Sequence, residues 1–207
     1  MADDYRITSA DELRALFDAP SEMVRRKVIK RLDRHCRTLI AASPFICLST
    51  SNAAGRADVS PRGDAPGFVQ VIDDATLFVP DRPGNNRLDS MSNILENPNV
   101  GLLFVIPGLD ETLRVYGTAA LTRDPALLAR ATVNGKAPKI GLRVTVEGAH
   151  LHCGKAFKRA RLWDPAAQID RKSLPSLGRM VLDQTGATDI PVEAADKRIE
   201  ESYRTLY

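Results

Sequence analysis

Two residues apart in the stretch SPRGDAPG (residues 60–67), Arg62 and Asp64 occupy a corner punctuated by Pro and Gly, directly after a strand-like segment. Such a corner can simply turn the chain, or it can hold a polar ligand at a strand end. A second group lies in DRPGNNR (residues 81–87), where Asn85, Asn86 and Arg87 precede a helical pattern. Backbone amides, amide side chains and a cation at a helix start suit a phosphate, although the same residues also make an ordinary turn. A third is CGKAFKRARLWDP, which sets Lys155, Lys158, Arg159 and Arg161 ahead of the chain's only tryptophan, Trp163. Cations beside an aromatic ring clamp a planar anion by charge and stacking; the alternative is a surface helix with one core Trp. His150, His152 and Cys153 form a local HxHC; on a strand the two histidines share a face, but a third metal ligand would have to come from elsewhere. They read as ordinary strand positions, and no metal is expected.

The usual catalytic signatures are missing. The chain has no GxxxxGK[ST] loop, no GxGxxG after a strand, no HExxH and no GxSxG, so nucleotide-loop, zinc-protease and serine-hydrolase readings lack their starting residues. With 43% hydrophobic and 27% charged residues, the composition is that of a globular protein. Its net charge of +3, from 29 basic and 26 acidic residues, is too small for a general nucleic-acid binder. Cys36, Cys47 and Cys153 are odd in number and widely spaced, which argues against a disulfide framework and suits a reducing compartment. The start, MADDYRITSADELRALF, is acidic where a signal peptide would be basic and then apolar, and no apolar run is long enough for a membrane span. A cytoplasmic location without membrane contact is expected.

The elements that must position these residues follow from periodicity. Ser9 or Thr8 caps a short helix through Phe17, and a longer helix is expected over residues 21–42, with Val24, Val28, Leu32, Leu39 and Ile40 as its apolar stripe. Its basic positions, from Arg25 to Arg37, read as a solvated face. From Phe45 the period becomes two: strands at 45–50 and 57–60, then 69–72 and 76–79, each pair joined by a short turn. A short helix at 87–95 ends at Asn97-Pro98, and strands follow in VGLLFVIPG, ETLRVYGTAALTRD and IGLRVTVEGAHLHC. Gly117 marks a bulge or close approach, and PALLARAT reads as a short helix. Helices are expected after Leu174. Six or seven strands joined by short turns and bracketed by helices give an α+β architecture, an antiparallel barrel or sandwich with flanking helices. One domain is expected over 1–207: a helical segment at about 9–42, a barrel core at about 45–165 and a helical segment at about 174–207.

In their order along the chain, ASPFICLSTSNAAGRADVSPRGD, LFVPDRPGNNRLDSMSNILENPNVGLLFVIPG, ETLRVYGTA and CGKAFKRARLWDP resemble the pyridoxamine 5′-phosphate oxidase-like family of flavin-binding split barrels. The resemblance is closest to its branch of FMN-dependent enzymes carrying an SPRGD motif, and it covers about residues 32–165. It implies a six-stranded Greek-key split β-barrel that forms a homodimer, with two FMN molecules in clefts at the subunit interface.

Carried over residue by residue, the resemblance places Val59, Ser60, Pro61 and Arg62 against the flavin ring and phosphate, with Asp64 orienting Arg62 or accepting a ring N–H. The family's next cofactor segment falls on Pro80, Asp81, Asn85, Asn86 and Arg87. There only the final cation is kept, and Asn86 stands as a neutral partner whose missing charge Lys158 or Arg159 would supply. A family glutamine reaching the ring from the other subunit falls on Thr112, a poor match. The family's substrate-binding Arg-Leu-His-Asp becomes Arg161-Leu162-Trp163-Asp164, so a bulky ring replaces a polar group and a substrate other than pyridoxamine phosphate is implied. The implied activity is an FMN-dependent oxidoreductase acting on a small molecule, with NAD(P)H as electron donor. The alternatives are a flavin-binding or sensing module without turnover, and a barrel that holds haem or a deazaflavin.

Overall fold

A computed structural model describes residues 5–207; residues 1–4, which open the acidic N-terminal stretch, lie outside them. The helices are α1 (Ala10–Ala15), α2 (Glu22–Arg26), α3 (Arg34–Ala42), α4 (Asp89–Glu96), α5 (Pro125–Arg130), α6 (Lys155–Ala160), α7 (Leu177–Thr185) and α8 (Val192–Tyr203). The strands are β1 (Phe45–Ser51), β2 (Ala57–Gly63), β3 (Gln70–Val71), β4 (Thr76–Pro80), β5 (Asn99–Val105), β6 (Thr112–Thr122) and β7 (Gly141–His152). All pair antiparallel in one sheet of order β2-β1-β5-β6-β7-β4-β3, which does not close through strand hydrogen bonds. This is the expected split barrel flanked by helices, with the two-residue β3 at its edge making seven strands where the family resemblance implies six. Among the described residues no helix is long and apolar enough to cross a membrane.

The period-two pattern builds the core. Ile46 and Leu48 on β1, Leu102 and Phe104 on β5, Leu113 and Val115 on β6, and Val144 on β7 all turn inward. The short β4 is buried on both faces, as its unbroken TLFVP run requires. Cys36 and Ile40 of α3 pack against the same core. Burial pushes the Cys36 thiol up to about 11, so it acts as a small apolar group and not as a nucleophile.

The helix expected over 21–42 is two helices with an extended break. Ile29 exchanges both backbone hydrogen bonds with Ala149 of β7, at 2.9 and 2.8 Å, beyond the point where β4 stops pairing with that strand. The Leu32 amide then donates to the Asp74 carbonyl at 2.7 Å, and Asp33 restarts the helix by accepting from the Cys36 amide at 2.8 Å. Unpaired groups on a strand edge outweigh a modest helix propensity, which Val28 and Ile29 weaken further.

Gly117 is the point on which the β6–β7 ladder turns. The register shifts between Tyr116 and Gly117, and a Cβ at Gly117 would lie 1.9 Å from the Thr145 carbonyl oxygen and 3.0 Å from the Glu147 amide. Both obstacles are backbone, so neither can step aside. Gly101, by contrast, would bring a Cβ to an ordinary 3.7 Å from the Ser49 Cβ. Gly117→Ala is therefore expected to cost about 3 kcal/mol in urea unfolding. Gly101→Ala is expected to cost about 0.5 kcal/mol or less, and equal effects would show that the bulge is not set by close approach.

Candidate functional site

β2 alternates along its length. Asp58, Ser60 and Arg62 are half-buried while Val59 and Pro61 are exposed, and at the strand's end Gly63 leads into the corner that carries Asp64. These β2 residues form one wall of a cleft of about 710 Å³, within the roughly 300–1,000 Å³ typical of small-molecule and cofactor sites. The opposite walls are residues 81–91, the turn from Lys136 to Lys139, and Tyr207.

Two ion pairs cross between the walls. Arg62 Nη1 donates to Asp81 Oδ1 at 3.3 Å, and Arg82 Nε donates to Asp64 Oδ2 at 2.5 Å. Arg82 also donates from Nη1 to the Ala131 carbonyl at 2.9 Å. Asp64 thus holds Arg82, and the expectation that it orients Arg62 is corrected: Arg62 is held by Asp81. The reason lies in the corner itself, where the Asp64 amide bonds the Pro44 carbonyl and the carboxylate accepts from the Ala65 amide at 2.7 Å, turning it away from β2. Arg62 Nε remains buried, with no hydrogen-bond partner among the described residues.

Burial, by itself, raises the Asp64 pKa, but the Tyr207 hydroxyl, the Ala65 amide and Arg82 together outweigh it and hold the carboxyl below the usual range. At Asp81 burial wins over the attraction of Arg62 and the pKa is raised. The two acids of the crossed pairs are therefore set in opposite directions, and Asp81 is the one that holds a proton more readily.

The loop from Asp81 to Arg87 carries strain as well as charge. Asn86 and Leu88 are both left-handed, with φ of 58° and 60°. For a non-glycine residue that costs of order 1–3 kcal/mol, which the surrounding structure must over-determine. Leu88 stands at the N-cap of α4 with no side-chain capping bond, leaving first-turn amides at the cleft wall. α4 is fixed to the barrel by Ser90 Oγ donating to Asp58 Oδ2 at 3.1 Å and Asn93 Nδ2 donating to Thr50 Oγ1 at 3.0 Å.

Of the expected site residues, Val59, Ser60, Pro61, Arg62, Asp81, Asn85, Asn86 and Arg87 line this cleft. Pro80 lines a narrow recess shared with Arg62 and Asp81, and Asp64 supports the wall through Arg82. Arg87 is largely exposed and donates from Nε to Asp89 at 2.7 Å. The remaining four residues lie apart from the cleft within one chain. Thr112, with Arg114 and His152, lines a second, more apolar recess of about 410 Å³. Lys158 faces Asp110 at 3.5 Å, and Arg161 donates twice to Asp164, at 3.0 and 2.6 Å. Trp163 donates its indole N–H to the Leu109 carbonyl at 3.0 Å and packs on Phe157.

Lys158 therefore does not supply the charge missing at Asn86 within a subunit. The cleft's further cations are Arg82, Lys136 and Lys139. Arg82 lies inside the loop already singled out, but its place beside Asp81 and Pro83 reads as turn chemistry. Lys136 and Lys139 belong to a distant Pro-containing turn, NGKAPK, whose lysines flanking Pro138 are the only local signal. Tyr207 has none.

Asp64→Asn is expected to lower stability at pH 7 by about 2 kcal/mol, since it removes a buried acceptor of charge-assisted bonds. Because the folded pKa is depressed, this contribution is complete above the unfolded value of about 3.9 and disappears as pH falls through the lower folded value. Acid unfolding of the wild type and the variant should then converge at low pH. A constant gap down to the lowest pH would exclude the assigned pairing.

The family model for pyridoxamine 5′-phosphate oxidase matches residues 32–153, more than half of the 207-residue chain. No curated protein matches by sequence. Similar solved structures include a variant of HupZ from Group A Streptococcus, at 19% identity over 58% of this chain and 99% of that chain, with a TM-score of 0.49. General Stress Protein 26 from Bacillus anthracis matches at 17% identity over 55% and 88%, with a TM-score of 0.43. HutZ, the heme storage protein from Vibrio cholerae, matches at 16% identity over 59% and 94%, with a TM-score of 0.42. At such identities neither ligand nor activity transfers to this chain. The sequence match together with the split barrel places the chain in the pyridoxamine 5′-phosphate oxidase family.

Proposed function

We propose that the cleft between β2 and residues 81–91 binds FMN and that the protein is an FMN-dependent oxidoreductase acting on a small molecule other than pyridoxamine phosphate. The observation that carries this reading is the unpartnered, buried Nε–H of Arg62 in a cleft walled by further cations and by the uncapped start of α4. A buried donor without an acceptor is costly, and a polar group of a ligand removes the cost. The residues fit the group: cations and free amides for the phosphate, and a cleft of sufficient size for the ring.

FMN, when bound, supplies the two-electron chemistry. The chain's own residues do the rest. Arg62, held by Asp81, presents a fixed positive charge and a free N–H; Lys136 and Lys139 add charge from the facing turn; Asp81 holds a proton beside them more readily than an ordinary carboxyl. NAD(P)H is the electron donor of this reading. The three free cysteines fit a cytoplasmic, reducing setting.

A substrate other than pyridoxamine phosphate is supported by the 161–164 segment. Arg161 is engaged twice by Asp164, and the only polar side-chain atom of Trp163 is used on Leu109, so the indole offers nothing to a substrate phosphate and Arg161 would meet one in competition with Asp164. A homodimer is supported by the separation of the expected site residues into two groups on one chain. One subunit leaves Thr112 and residues 158–163 away from the cleft, and a second subunit is the means of completing it.

The purified protein is expected to show the visible spectrum of an oxidised flavin or to acquire it on titration with FMN, and to bleach with NAD(P)H. Arg62→Ala should weaken FMN at least roughly tenfold, the loss of one charge-assisted hydrogen bond. Absence of FMN uptake by wild-type protein, or unchanged affinity in Arg62→Ala, overturns the reading. Mass measurement of the FMN-loaded protein should give a dimer, and a monomer would exclude the shared site.

A further inference from the structure

We propose that Tyr207 is a latch that fastens the segment following α8 across this cleft and gates the exchange of its ligand, an inference that rests on the FMN reading of the cleft. Three contacts hold the residue. Its hydroxyl donates to Asp64 Oδ1 at 2.5 Å, its ring lies against the Arg82 guanidinium at 5.5 Å from the centroid, and its carbonyl oxygen accepts from Lys136 Nζ at 2.8 Å. The first two partners form the buried ion pair that crosses between the walls, with Asp64 only 3% and Arg82 16% exposed; the third belongs to the turn from Lys136 to Lys139. Tyr207 therefore joins the crossed ion pair to the Lys136 turn and is docked on buried charge.

The segment that carries it is otherwise lightly held. α8 buries no residue, and its main neighbour is α7, so residues 204–207 leave a peripheral helical pair and are tied to the cleft by Tyr207. An element with few buried contacts opens at small cost, and its opening is governed by the fastening point. With Tyr207 in place the cleft still has about 710 Å³ of space, and the residue forms part of its wall. The latch thus borders the ligand's space without filling it. A gate of this kind slows entry and exit alike and leaves the equilibrium affinity unchanged, whereas a contact residue changes exit and affinity, and a plug weakens affinity by excluding the ligand.

Rapid-mixing measurements of FMN binding and release by wild-type protein and Tyr207→Phe distinguish these cases, because the variant keeps the ring on Arg82 and removes only the hydroxyl. The expected result is a rise in both rate constants by the same factor, roughly tenfold for a hydrogen bond to a charged group, with Kd unchanged. Unchanged rates, a rise in release alone, or a tighter Kd would each overturn the gate. Failure of wild-type protein to bind FMN would remove the flavin reading instead. The latch itself is then decided by ¹⁹F resonances of fluorotyrosine-labelled protein: the Tyr207 signal, assigned by its loss in Tyr207→Phe, should shift in Asp64→Asn, and an unmoved signal overturns the contact.

Discussion

Two arginines and two aspartates, exchanged between the end of β2 and the loop after β4, are the interaction on which the site depends. β2 lies at one edge of the sheet and β4 next to the other, and no strand hydrogen bonds join them. The pairs Arg62–Asp81 and Arg82–Asp64 cross that seam instead. Each is partly or wholly withdrawn from water, so loss of one partner leaves an uncompensated charge, and the walls of the cleft are fixed relative to one another. The crossed arrangement also explains the spacing of SPRGD. Arg62 faces the cleft and Asp64 faces the loop, so one short corner serves both as cleft wall and as structural tie.

The fold was largely legible because its determinants are local. Alternation along residues 45–51, 99–105 and 112–122 marks strands without reference to anything distant, and Gly117 reads as a close approach for the reason the structure gives, a backbone oxygen where a Cβ would stand. The helix at 21–42 was misjudged because its interruption is imposed from afar, by the free edge of β7 at Ala149. Motif order singles out residues 59–62 and 81–87, which the structure brings to one cleft, but it does not give their partners. Which acid takes which arginine depends on how two sheet edges meet. Lys136, Lys139 and Tyr207 come from segments whose place at the cleft is set wholly by tertiary structure.

Charge and strain are concentrated on the same loop. Asn86 and Leu88 adopt left-handed backbone, the α4 amides lack a side-chain cap, and Arg62 has an N–H without an acceptor. Each is unfavourable in isolation, and all face one cleft. Binding sites are where such local conflicts are kept, because a fold optimised at every position leaves nothing for a ligand to satisfy. In the second group, Lys158, Arg161 and Trp163 all have side-chain partners within the subunit, although Arg161 is itself left-handed with φ of 50°.

Pro61 carries a consequence of a different kind. It lies in β2, the outermost strand of the sheet on that side, paired in register with Cys47 of β1. Proline is admitted to a sheet where its missing N–H would point away from the neighbouring strand, so the free border of β2 has one donor fewer to offer an incoming chain. The residue that helps wall the cleft therefore also blunts an otherwise open border against strand addition and fibre-like growth.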